Sequence, residues 1–210
     1  MNNKLLIGSL FALSTFFGCN SDSSNNAQNT NNSTPSFDQV LLSRRSVRNY
    51  DKTKKITENE VRELLKSVQE APSWANRQPS KYYVAISDEK LEKVQNLVGQ
   101  NKDRIANAPV LIVSTFEKGK SGFSNSGATN EIGDGWGAYD NGLSNCYLIL
   151  KARAMGFDTL IMGMRDSDSL RKEFNIPENE TIMAVIALGY RAEEPKTPGH
   201  RPLDEIVQFF

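Results

Sequence analysis

The chain has 210 residues, with 25 basic and 25 acidic side chains, one histidine and two cysteines. That length holds one ordinary domain plus an appendage, and a formal net charge of zero argues against a basic face built for nucleic acid. So few histidines and cysteines make a metal site or a histidine-based triad hard to assemble, and any catalysis is expected to rest on a cofactor.

Met1-Asn2-Asn3-Lys4 is followed by an apolar run from Leu5 to Phe17 and then by Gly18-Cys19. The run is shorter than the ~20 residues of a membrane-spanning helix and follows one basic residue, which is the pattern of a secretory signal. Gly18-Cys19 resembles the cleavage box of bacterial lipoproteins, whose cysteine carries lipid. Residues 1–19 are therefore expected to be a signal peptide and Cys19 a lipid attachment point. The expected location is the bacterial cell envelope, membrane-anchored, with a soluble secreted or periplasmic form as the alternative. Residues 20–35 are almost entirely Asn, Ser, Thr and Gln. Such a stretch cannot bury enough apolar surface to offset its ordering entropy and reads as a tether of roughly 20–25 Å. The folded domain is expected over residues 36–210.

Within it, Phe37, Val40 and Leu41 make a short helical face. Arg44, Arg45, Ser46 and Arg48 follow, three guanidiniums and a hydroxyl within five residues. Their forks of donors suit phosphate oxygens, but a solvated basic turn explains the cluster equally well. Thr57 and Glu60 have capping-box spacing, and Val61, Leu64, Leu65 and Val68 behind them predict a helix ending before Pro72. Ser73 to Ser80 reads as a polar loop, Tyr82 to Ile86 as a strand, Asp88 to Val98 as a helix and Val110 to Phe116 as a strand. Glu117 to Gly135 reads as a long Gly/Ser/Asn loop, and loops of that length are usually functional or mobile.

A helix is predicted from Tyr139 to Met155 with Leu143, Cys146, Tyr147, Leu150 and Ala154 on its apolar stripe. Cys146 is accordingly expected to be a buried, unreactive thiol. Gly133 to Ala138 matches G-x-G-x-x-A, but no strand runs into it, as a dinucleotide site requires. Thr159 to Met162 reads as a strand, Leu170 and Phe174 mark a short helix, and Ile182 to Leu188 is apolar throughout, as in a strand covered on both faces. The Pro-rich tail ends Ile206-Val207-Gln208-Phe209-Phe210, an apolar arm that needs a surface to cover it. Together the elements predict an α+β fold, a central sheet flanked by helices.

The arginine cluster, the stretch Ala71-Pro72-Ser73-Trp74-Ala75-Asn76-Arg77-Gln78-Pro79, the Gly-rich entry to the long helix, Gly156 to Gly163, Leu188-Gly189-Tyr190 and His200-Arg201-Pro202-Leu203 together resemble the nitroreductase family. The resemblance covers essentially all of residues 36–210. It implies a mostly antiparallel sheet, a homodimer with exchanged C-terminal arms, and FMN bound at the interface. Arg44 and Ser46, with Arg45 between them, match phosphate and ribityl contacts, and Arg201 matches a second phosphate ligand. Arg48 matches a cation beside flavin N1 and O2. Pro72, Ser73 and Asn76, with Trp74 and Gln78 in the same turn, match residues reaching the partner's flavin. Asn101 and Arg104 match a pair bonded to the ring. Ile161, Met162, Gly163 and Met164 match the strand end passing N5. The resemblance implies electron transfer from NAD(P)H to a nitroaromatic, quinone or similar small aromatic acceptor in ping-pong fashion. A non-catalytic flavin-binding or redox-sensing lipoprotein is the alternative.

Overall fold

The computed structural model of the chain describes residues 34–210. The predicted signal with Cys19, and most of the predicted tether, lie outside the described residues. Among those described, no helix is long and apolar enough to cross a membrane.

A four-stranded sheet forms the middle layer, ordered β1 (Ser80–Ala85), β2 (Val110–Glu117), β6 (Glu180–Gly189), β5 (Asp158–Met162). Every neighbouring pair is antiparallel, so the predicted α+β architecture holds. Side chains alternate across the pleat, and the two faces build two cores. Leu111, Val113, Val185 and Ala187 face α3 (Asp88–Gln95) and α5 (Ser167–Phe174), packing with Leu91, Val94 and Leu170. Val110, Ile112, Ile186 and Leu188 face α2 (Glu58–Lys66) and α4 (Gly135–Ala154), packing with Val61, Leu64, Leu148 and Ala152. The apolar run that ends at Leu188 is thus covered on both sides, as its composition predicts.

The capping box at Thr57 forms in both directions: Glu60 N–H donates to the Thr57 hydroxyl oxygen, and Thr57 N–H to the Glu60 carboxylate. Ser36 and Gln39 make the same reciprocal cap on α1 (Phe37–Ser43). The helix predicted over Asp88 to Val98 ends at Gln95 and passes into a 3₁₀ turn.

The predicted register of α4 is wrong in a way that bears on function. Its buried residues are Gly137, Asp140, Asn141, Ser144, Asn145, Leu148 and Ala152. Its apolar stripe points outward, with Tyr147 exposed and Leu143, Leu150 and Ala154 half-buried. Cys146 is exposed rather than buried. The inward polar residues are satisfied by the sheet: the Ser114 hydroxyl donates to Asn141 and Asn145, the Tyr82 hydroxyl to Ser144, and the Asn141 amide to the Thr115 carbonyl. The helix also begins four residues before Tyr139. Gly137 lies there against Phe116, where an added Cβ would come within 2.4 Å of the ring, so glycine is what lets the helix approach β2.

The long Gly/Ser/Asn segment is not structureless. It folds into a small hairpin, β3 (Phe123–Ser124) with β4 (Gly127–Ala128). Both ends are tied down: Gly119 N–H donates to the Asp134 carboxylate, and the Trp136 indole to Asn130.

Candidate functional site

The arginine segment is laid on the free edge of β5. Ser46 pairs with Thr159 in a parallel bridge, and Val47 N–H donates to the Thr159 carbonyl at 3.0 Å. Val47 and Tyr50 plug into the core, which turns Ser46 and Arg48 to solvent. The bridge is parallel, so the segment and β5 run in the same direction, with Arg48 and Ile161 each two residues beyond the bridged pair; Arg48 donates to the Ser46 carbonyl.

The start of the segment is fixed by an ion cluster that sequence reasoning missed. Asp158, almost wholly buried, accepts from Arg191 through both carboxylate oxygens, at 2.6 and 2.9 Å. Arg191 also donates to the Ser43 carbonyl, and Arg153 on α4 to the Ser43 hydroxyl. The chain entering Arg44 is therefore held from two sides. The Arg44 guanidinium has no partner among the described residues, while Arg45 donates to the Arg44 carbonyl and to the Thr197 hydroxyl. The Asp158 carboxylate beside Arg191 raises the Arg191 pKa further above its usual range.

The strand end of β5 opens onto the same side. Ile161 and Met164 are exposed, and nothing lies within 4 Å of the place where a Gly163 side chain would start. The Gly163 carbonyl is held by the Arg165 guanidinium at 2.5 Å, and Arg165 also reaches the Ile182 carbonyl. Burial lowers the Arg165 pKa. Gly99 abuts Met164, where a Cβ would come within 2.7 Å of its sulfur. That contact brings the 99–104 turn alongside, where Arg104 donates to Asn101. The structure thus gathers Arg44, Ser46, Arg48, Asn101, Arg104 and Ile161 to Met164 around one edge of the sheet.

The other predicted residues are elsewhere. Pro72, Ser73, Trp74, Asn76 and Gln78 form a tight loop in which Ala75, Asn76 and Gln78 all have positive φ, between 46 and 54°. Left-handed backbone at a residue other than glycine costs about 1–3 kcal/mol, so three such residues need strong ties. Trp74 N–H donates to Asp140 on α4, Gln78 N–H to the Ser73 hydroxyl, and Asn76 N–H to the Ser73 carbonyl. Asp140 is thirteen residues before Arg153 on the same helix, a rise of about 20 Å. The loop and the arginine edge therefore sit at opposite ends of α4 in one chain. Arg201 is in the exposed tail, paired with Glu205 rather than with the arginine edge. Leu203, Ile206, Phe209 and Phe210 of that tail are also exposed.

An apolar groove of about 500 Å³ runs between α1 and the outward stripe of α4, lined by Phe37, Val40, Cys146, Tyr147 and Leu150. It lies apart from the polar residues of the site and continues the uncovered face of α4.

The nitroreductase family model matches residues 41–190. A Caulobacter sp. strain K31 protein, described as an NADH dehydrogenase/NAD(P)H nitroreductase candidate, is 31% identical over 176 residues, covering 78% of this chain and 90% of its own. YdgI of Bacillus subtilis, described as a candidate NAD(P)H nitroreductase, is 24% identical over 205 residues, covering 84% and 98%. Among solved structures, a protein of Exiguobacterium sibiricum in complex with FMN superposes with a TM-score of 0.74 at 21% identity, covering 84% of this chain and 98% of that one. The match over residues 41–190 takes in more than half of the chain and makes it a member of the nitroreductase family.

Proposed function

We propose that the protein is an FMN-dependent oxidoreductase that works as a homodimer. The observation that carries this reading is the division of the site between the two ends of α4. A two-fold-related copy, packed on the outward stripe of α4, sets the strained loop of one chain against the arginine edge of the other. It also gives the exposed apolar tail a surface to cover.

The residues present suit FMN. Arg44, with its free guanidinium, Arg45 and the Ser46 hydroxyl offer donors for a phosphate and ribityl chain, with the partner's Arg201 brought by the tail. Gly163 leaves open space beside the strand end for a flat ring. Arg48 supplies a fixed positive charge at the ring edge that becomes electron-rich on reduction. Asn101 and Arg104 offer further polar contacts. When bound, FMN supplies two-electron transfer from a reduced nicotinamide to a nitroaromatic, quinone or similar acceptor, in two half-reactions at one face. The protein's own contribution is to bind, orient and exclude water.

The test is the visible spectrum of the purified protein before and after anaerobic addition of NADH or NADPH. A flavin band that bleaches with donor and returns with acceptor is expected. A flavin band that resists every donor supports the non-catalytic flavin-binding reading instead. We further propose that Cys19 anchors the protein to a membrane of the cell envelope. Cys19→Ser is then expected to move it from the membrane to the soluble exported fraction. A variant that stays wholly membrane-bound rules the anchor out.

A further inference from the structure

A polar cleft of about 430 Å³ lies between the strained loop and the β3–β4 hairpin, lined among others by Asn76, Arg77, Lys120 and Phe123. We propose that this cleft recognises an anionic group on the aromatic compound entering the site, and that Arg77 is the residue that selects for it. The proposal rests on the flavin-dimer reading above, which puts the strained loop beside the partner's flavin.

Three observations support it. The Arg77 guanidinium has no hydrogen bond or ion pair among the described residues. The other cation of the cleft, Lys120, is already paired with Glu117 at 2.5 Å, so Arg77 carries the unbalanced charge. And Arg77 does not sit on an ordinary surface turn. It stands between Asn76 and Gln78, both left-handed, on a loop held by a buried carboxylate. Asp140 is 3% exposed, and one of its oxygens accepts both Trp74 N–H at 2.9 Å and the Ser121 hydroxyl at 2.7 Å. Ser121 belongs to the segment leading into the hairpin. The same carboxylate oxygen therefore fixes both walls of the cleft, and the Arg77 backbone is fixed with them. A guanidinium carried on a fixed loop, in a cleft that the half-buried ring of Phe123 also lines, suits a flat ring bearing a carboxylate or a neighbouring phosphate.

That anion has two sources: a carboxylate on the acceptor, or a phosphate of the nicotinamide donor. The experiment compares the flavin-loaded parent with Arg77→Gln and Arg77→Lys. Its readouts are kcat/KM for 4-nitrobenzoate and for its neutral analogue 4-nitrobenzamide, and the anaerobic rate of flavin reduction by NADPH. The parent is expected to prefer the carboxylate roughly ten- to a hundredfold, the scale of one charge-assisted contact. Arg77→Gln is expected to abolish the preference through the KM for nitrobenzoate, leaving nitrobenzamide unchanged, and Arg77→Lys to restore part of it. A loss confined to the NADPH half-reaction supports the anion site with the donor phosphate as its ligand. Equal effects on both acceptors and no effect on NADPH, or no effect anywhere, overturn the proposal. Calorimetric binding of benzoate against benzamide is read on the same samples and needs no flavin. A colourless protein that still prefers benzoate through Arg77 thus sinks the flavin reading alone, and one that binds neither probe sinks the cleft as well.

Discussion

Replacing Asp140 tests whether the strained loop is held in the way the geometry indicates. In the parent, one oxygen of a carboxylate that is 3% exposed receives Trp74 N–H and the Ser121 hydroxyl. Hydrogen bonds to a charged acceptor contribute about 1.5–3 kcal/mol each. Asp140→Ala removes both. The Ser121 hydroxyl has rotational freedom to find another partner, but Trp74 N–H is fixed by the backbone. The loss that bears on the loop is thus at least the Trp74 bond, and the left-handed residues beside it add about 1–3 kcal/mol each in favour of release. Opening of the loop should become easier by roughly 1.5–3 kcal/mol, a 10- to 150-fold fall in amide protection. Asp140→Asn keeps an oxygen in place and loses mainly the charge, which makes up about half of such a bond, so its effect should stay below roughly tenfold. The assay is hydrogen exchange resolved to residues 73–78, with amides of β6 as the internal reference. Unchanged protection at Trp74 in Asp140→Ala, or an equal fall in β6, refutes the argument that Asp140 is the loop's tie.

Three further outcomes are expected. Arg48→Ala should lower the flavin reduction potential by some tens of millivolts, since ~1.4 kcal/mol corresponds to about 30 mV for two electrons, and leave FMN bound; Arg201→Ala should release FMN with little change in potential. Spectroelectrochemical titration separates the two, and parallel loss of FMN in both variants contradicts their separate roles. Deleting residues 196–210 should weaken both dimerisation and flavin retention, and a truncated protein that sediments as a yellow dimer removes the tail from either role. Tyr82 and Tyr83 are each pushed up to about 12, Tyr82 by burial and Tyr83 by burial and the Glu180 carboxylate, against about 10 in an unfolded chain. Their raised values favour the fold below pH ~10, and that contribution is lost as pH rises from there through about 12. Tyrosinate absorbance from these two should then appear nearer pH 12 than pH 10 while the fold is intact; their ionisation near pH 10 in a folded protein would show the reasoning wrong.

Some elements are legible because the sequence pattern itself carries the signal. Thr57 and Glu60 announce a capped helix because both partners lie within one turn, and the run ending at Leu188 announces a central strand because burial on both faces leaves no alternation. The α4 register was not legible for the opposite reason. Apolar periodicity selects the stripe of Cys146 and Tyr147, while the face turned inward is polar and finds its partners on Tyr82 and Ser114, 62 and 31 residues away in sequence. Arg44, Ser46 and Arg48 were visible as a cluster, but Asp158 and Arg191, which fix the chain leading into them, carry no motif of their own. Nor does spacing reveal that Ala75, Asn76 and Gln78 are left-handed, since none is glycine.

The arginine segment also closes the sheet. An unpaired strand edge is a template on which another chain can add and polymerise. On the β5 side that edge is occupied by Ser46 and Val47, bonded to Thr159, whereas β1 at the other margin carries the charged Lys81, a common deterrent to edge pairing. Anything that lifts residues 44–48 away therefore bares a sticky margin as well as disturbing the proposed FMN site. Solubility of the protein on storage should follow occupancy of that segment, and added FMN should act as a protectant against aggregation even where turnover is not being measured.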